Sequence, residues 1–114
     1  MLPKKRRLTA AQVKEVLSSG KSVRGVAISL KYVVKPGFFG SAVVAPKAVA
    51  RLAVDRNRVR RALYRALSSL SPQEAHILQN KMTVFFVRSI PSPLQPTLRA
   101  EVVGLLTKLP HQHV

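Results

Sequence analysis

Cysteine is absent from this 114-residue chain and carboxylates are scarce: four Asp and Glu stand against 20 Lys and Arg. The first absence excludes disulfides, thiolate metal sites and cysteine nucleophiles together. The second restricts catalysis, because a self-sufficient nuclease needs clustered carboxylates for metal ions or a His/Lys acid–base pair. Glu15, Asp55, Glu74 and Glu101 are far apart in the sequence, and helix caps or surface positions account for most of them. His111 and His113 sit two apart in a terminal tail, and His76 falls on a short helical stretch. Neither pattern makes a metal or catalytic grouping. Serine is plentiful, but no strand–turn–helix nucleophile motif contains one. No apolar run reaches the ~18 residues of a membrane span. The segment after Lys4-Lys5-Arg6-Arg7 is polar rather than the apolar stretch of a signal peptide. The expectation is a cytoplasmic chain with no membrane contact, no small-molecule substrate, no metal site and no catalytic residue of its own.

What is present is positive charge. The formal net charge is +16 and the pI about 11.8. Self-repulsion of that size opposes a compact state unless a polyanion offsets it. A hydrophobic content of 46% nevertheless sets the chain apart from a disordered basic tail. A folded basic domain points to nucleic acid first and an acidic membrane surface second. The length suits one domain, 1–114, with a basic arm over 1–8 and a tail over 110–114.

The local signals are ordered. Thr9-Ala10-Ala11-Gln12 is a capping box, and Val13, Val16 and Leu17 follow at helical spacing up to Gly20, so a helix is predicted over 10–19. Val26, Ile28, Leu30 and Tyr32 alternate with their neighbours, which predicts a strand with one buried face. Pro36-Gly37 marks a turn, and residues 41–45 read as a second strand antiparallel to the first. Ser71-Pro72-Gln73-Glu74 is a second capping box opening a short helix to about residue 79. Met82 to Val87 is a continuous apolar run, read as a strand buried on both faces. Leu98, Val102, Leu105, Leu106 and Leu109 form the stripe of a last helix over 96–109.

The most informative stretch is Ala53-Val54-Asp55-Arg56-Asn57-Arg58-Val59-Arg60-Arg61, with four arginines and one asparagine in six positions. A helix over 55–70 puts Val59, Ala62, Leu63, Ala66, Leu67 and Leu70 on one side. Asn57, Arg58, Arg61 and Arg65 then lie opposite, with Arg56 and Arg60 flanking the stripe. Asp55 favours the positive end of the helix dipole but cannot neutralise the run. Guanidinium groups suit bidentate contact with phosphate.

This stretch, in its order with Lys4-Lys5-Arg6-Arg7 and Gly20-Lys21-Ser22-Val23, resembles the protein component of bacterial ribonuclease P, over nearly the whole chain. The resemblance implies an α+β fold, a two-layer α-β-β-α-β-α sandwich with a left-handed βαβ crossover. It implies an RNA subunit that performs catalysis, holds the Mg2+ ions and removes the 5′ leader of precursor tRNA, with no cofactor bound by the protein alone. Arg56, Asn57, Arg58, Arg60 and Arg61 would hold that RNA, and Arg65 extends their face. Ala45-Pro46-Lys47 stands where the family has Ser-Lys-Lys, so only Lys47 keeps that contact. The implied leader cleft has Val13, Leu17 and Lys31, aliphatic or basic where the family often has aromatic residues. Segment 71–79 reads as an insertion. Two other binding classes stay open: a ribosomal or RNA-chaperone protein without a nuclease partner, and a DNA-binding protein presenting the arginine helix to a major groove. The latter would want a dimer interface or a helix-turn-helix, and neither pattern is present. A standalone nuclease is disfavoured by the scattered acids.

Overall fold

Thr9 starts the first helix by the reciprocal device that its spacing predicts. Its Oγ1 accepts from the Gln12 amide at 3.2 Å, and Gln12 Oε1 accepts from the Thr9 amide at 2.8 Å. Two amides that a helix start leaves unpaired are thereby satisfied. In the computed structural model, which describes residues 7–109, helix α1 spans Ala10–Ser19. It ends at Gly20, whose backbone turns extended while its amide still donates to the Val16 carbonyl, a close approach that leaves no room for a Cβ, which would lie 2.4 Å from that oxygen.

The chain continues through β1 (Lys21–Arg24), β2 (Ile28–Val34), β3 (Phe39–Val44), α2 (Ala53–Ser68), α3 (Pro72–Ile77), β4 (Lys81–Val87) and α4 (Leu94–Leu106). The class is α+β. One mixed sheet has the order β1-β2-β4-β3, in which β1/β2 and β2/β4 are antiparallel and β3/β4 parallel. No helix among the described residues is long and apolar enough to cross a membrane. Most of the basic arm, the tail over 110–114 and its His111 and His113 lie outside the described residues. From the arm, Leu8 donates its amide to the Ser41 carbonyl at 3.2 Å, beside β3.

Three expectations need correction. The second strand does not pair with the first: β4 lies between β2 and β3, and β3 runs parallel to it. The reason is burial. β4 has apolar side chains on both faces and needs the central position, which a β2–β3 hairpin would deny it. β1 is a strand that the pattern does not announce, because Lys21-Ser22-Val23-Arg24 has one apolar residue and mostly exposed side chains. Val26 belongs to the turn between β1 and β2, not to a buried strand face, and is 86% exposed. Smaller differences concern helix ends: α2 starts and stops two residues before the predicted 55–70, and α4 begins before Pro96. Proline is harmless there because first-turn amides have no partner within the helix.

Alternation along β4 divides the core between the two faces of the sheet. Phe85 and Val87 join Ile28 and Leu30 under Val59 and Leu63 of α2 and Leu98 and Val102 of α4. Met82 and Val84 face the other way and meet Val16 of α1 together with Ala42. The larger layer is thus helices α2 and α4 on the sheet. The single short α1 covers only part of the opposite face, and the uncovered part becomes a cleft.

Candidate nucleic-acid interface

Helix α2 divides its residues as its spacing requires. Val59, Ala62, Leu63, Ala66 and Leu67 are buried, and Tyr64 joins them at 8% exposure. Leu70 lies beyond the helix and is half-buried. Asn57, Arg58, Arg61 and Arg65 are exposed, and Arg56 and Arg60 are intermediate at the flanks. Arg58, Arg61 and Arg65 follow one another at intervals of three and four, so their guanidinium groups form one line along the helix.

These side chains differ in what they already hold. Arg56 Nη1 donates to the carbonyls of Ala50 and Arg51 at 2.9 and 3.0 Å, tying the incoming loop to the helix. Arg60 Nη1 donates to Asn57 Oδ1 at 3.0 Å, which engages the carbonyl end of that amide. Arg65 Nη1 reaches Gln95 Oε1 only at 3.5 Å, while Gln95 Nε2 donates to the Ala62 carbonyl at 2.9 Å. Arg58 and Arg61 have no side-chain partner among the described residues. Lys47 is exposed in the turn after β3, where the Val49 amide donates to the Pro46 carbonyl at 3.0 Å.

That same turn borders the cleft. Pro46 and Val49 form one wall of a space of about 710 Å3. Leu17 of α1 lines another, with Ser22 and Arg24 from β1, Ser29 and Lys31 from β2, and Phe86 and Arg88 from the β4 end. Lys31 Nζ donates to the Leu17 carbonyl at 3.2 Å, so it closes the seam between sheet and helix. Leu17 is 39% exposed. Val13 packs with Val16 into the small cluster beside the cleft and does not line it. The structure therefore brings Leu17 and Lys31 together and leaves Val13 beneath them.

The carboxylates are dispersed. Glu74 closes the capping box with Ser71, Asp55 sits in the first turn of α2, and Glu101 meets the turn between β1 and β2. Among the described residues no three His, Cys, Asp or Glu gather as a metal site. Away from this surface, Lys81 is 2% exposed, donates to the Ile77 carbonyl, and has its pKa lowered from 10.5 by desolvation.

The family model described as Ribonuclease P matches residues 2–110. The chain belongs to the ribonuclease P protein family. Membership implies a subunit of an endoribonuclease that acts in tRNA processing, in association with an RNA subunit and a tRNA substrate. The fold agrees with solved relatives. One structure of Staphylococcus aureus RNase P protein superposes with a TM-score of 0.71 at 17% identity, covering 93% of this chain and 95% of that one. RNase P protein from Thermotoga maritima gives 0.69 at 18% identity, covering 91% and 97%. No curated protein sequence matches the chain.

Within this member of the family, sequence reasoning overlooks Phe86, Arg24 and Arg88. The clue for Phe86 is alternation hidden in an apolar run: Met82, Val84 and Phe86 share the α1 side of β4. Arg24 and Arg88 carry no sequence signal, because only the register of β1 and the end of β4 put them at the cleft.

Proposed function

We propose that the chain holds the ribonuclease P RNA through the exposed face of α2 and receives the single-stranded leader of precursor tRNA in the cleft beside α1. The observation that carries this reading is the line of Arg58, Arg61 and Arg65 on a helix whose other side is anchored in the core. Arg58 and Arg61, without side-chain partners among the described residues, and Arg65, held only by a 3.5 Å contact with Gln95, suit phosphate contacts on this rigid support, since little existing hydrogen bonding must be given up. Asn57 keeps its amide NH2 for a directed contact, and Lys47 lies on the turn that joins this face to the cleft. Arg56 orders the loop first and contributes charge second.

The cleft supports leader binding by a different chemistry. Arg24, Lys31 and Arg88 supply positive charge around Phe86 and Leu17. Basic groups that track a backbone, with an aromatic face for bases, are the general recipe for single strands. The chain brings no catalytic group, and the Mg2+ ions of the reaction would be held by the RNA subunit.

The test mixes the purified chain with a bacterial ribonuclease P RNA and precursor tRNA at low Mg2+ and scores leader removal. Stimulation of cleavage by the chain is expected. No stimulation would sink the proposal, and cleavage without RNA would move catalysis to the protein.

A further inference from the structure

The turn between β1 and β2 has a backbone that its own residues cannot satisfy. The amides of Val26, Ala27 and Ile28 converge on one carboxylate, contributed by α4 from more than 70 residues away. Glu101 Oε1 accepts from Val26, Ala27 and Ile28 at 2.7, 2.9 and 3.3 Å, and Oε2 accepts from Ala27 at 3.0 Å. Gly25 makes room for this: a Cβ there would stand 2.6 Å from Glu101 Oε1. Arg88 Nη1 and Lys108 Nζ approach the carbonyls of Gly25 and Arg24 at 3.4 and 3.5 Å, the outer limit of hydrogen bonding. Backbone bonds hold the turn as well, from the Gly25 amide to the Ile28 carbonyl at 2.9 Å and from the Arg88 amide to the Ala27 carbonyl at 2.7 Å, and the carboxylate adds charge-assisted contacts to three amides, in a chain with only four acids.

What the turn controls is β1. This strand is at the sheet edge, pairs only with β2, and buries little beyond part of Val23. Its register sets Ser22 opposite Lys31 and Arg24 opposite Ser29, and all four line the cleft. Glu101 lies on α4, across the sheet from α1, and is not a cleft residue. We propose that Glu101 is a positioning residue for the leader cleft: by clamping the β1–β2 turn it holds Arg24 and Ser22 in register beside Ser29 and Lys31. This rests on the reading of the cleft as the leader site. A short, exposed edge strand with few apolar contacts opens at low free energy unless its turn is fixed.

The test uses the holoenzyme reconstituted with ribonuclease P RNA. Its substrates are a precursor tRNA with a long leader and the same tRNA with the leader trimmed to a single nucleotide. Glu101→Gln should raise KM for the long-leader substrate about tenfold, on the scale of one charge-assisted hydrogen bond. Its kcat, its KM for the trimmed substrate and its affinity for the RNA subunit should stay as in the parent. Adding Arg24→Ala to Glu101→Gln should cost less than the sum of the single changes, because both act on one contact. Glu101→Asp, which shortens the reach of the carboxylate by one methylene without adding bulk to the turn, should give the same selective loss, and it decides the matter if Glu101→Gln does not fold; Gly25→Ala would not, since its Cβ would stand 2.6 Å from the Ile28 carbonyl as well as from Glu101. Equal losses on both substrates, unchanged KM on both, or additive effects with Arg24→Ala would overturn the proposal. Arg24→Ala and Lys31→Ala are the controls for the site itself. If neither raises the long-leader KM, the cleft reading falls and this inference with it. If they do and Glu101→Gln does not, only the positioning role falls.

Discussion

Arg56 and Arg58 stand two positions apart in one motif yet have different surroundings. Arg58, with Arg61, is exposed and has no partner among the described residues, whereas Arg56 is spent on the carbonyls of Ala50 and Arg51. The double change Arg58→Ala, Arg61→Ala should weaken binding to ribonuclease P RNA and lower the slope of log K against log salt by about 0.7–0.9 for each lost phosphate contact. Melting of the free protein should move little, within about 0.5 kcal/mol. Arg56→Ala should instead lower stability, by about 0.5–1.5 kcal/mol, because it frees the loop from two hydrogen bonds to the helix. A salt titration beside a thermal melt separates the two effects. Lys81 gives a second residue-scale expectation. Burial depresses its pKa from 10.5 in the folded state, so the unfolded chain holds the proton more tightly. Its contribution to stability then rises with pH from the lowered value up to about 10.5 and is lost again as pH falls. Denaturant melts between neutral pH and that limit should show a positive slope that Lys81→Met reduces.

At the scale of elements, β4 carries the most information and hides it best. Its continuous apolar run reads correctly as a strand buried on both faces, but such a run does not announce which residues face which layer. Only the helices on either side sort Phe85 and Val87 from Met82, Val84 and Phe86. Phe86 thereby reaches the cleft, where an aromatic face is expected to stack on an unpaired base. Phe86→Leu should weaken binding of the long-leader precursor by about 1–3 kcal/mol while leaving the affinity for the RNA subunit unchanged. Equilibrium binding with leader-bearing and leaderless tRNA measures this directly. The capping boxes at Thr9 and Ser71 and the amphipathic α2 were legible because their causes are local, within four residues or one helical turn. β1 was not, because its pairing with β2 and the carboxylate of Glu101 define it, and its composition does not.

For the whole molecule, a net charge of +16 is a stored repulsion that an anionic partner relieves. A polyanion that binds only the folded chain should raise Tm with concentration, by the equivalent of about 2.7 kcal/mol at 100 times its dissociation constant. The rise should shrink as salt increases. If about five phosphates are engaged, affinity should fall by roughly 100-fold between 50 and 200 mM salt. Differential scanning calorimetry with ribonuclease P RNA across a salt series tests both, and a Tm indifferent to RNA would count against the charge being used this way.

The sequence by itself determined the amphipathic arginine helix, its orientation toward core and solvent, the capped helix starts and a strand buried on both faces. Each follows from periodicity or from contacts between near neighbours. The tertiary structure alone decided the sheet order, the parallel pairing of β3 with β4, and the composition of the cleft. The physical reason is the range of the interactions. Strand order is settled by which strand can bury both faces at once. The cleft exists because one short helix covers less of the sheet than two long ones; two of its walls meet through the hydrogen bond from Lys31 to Leu17, and the turn that carries a third is held from across the sheet by Glu101.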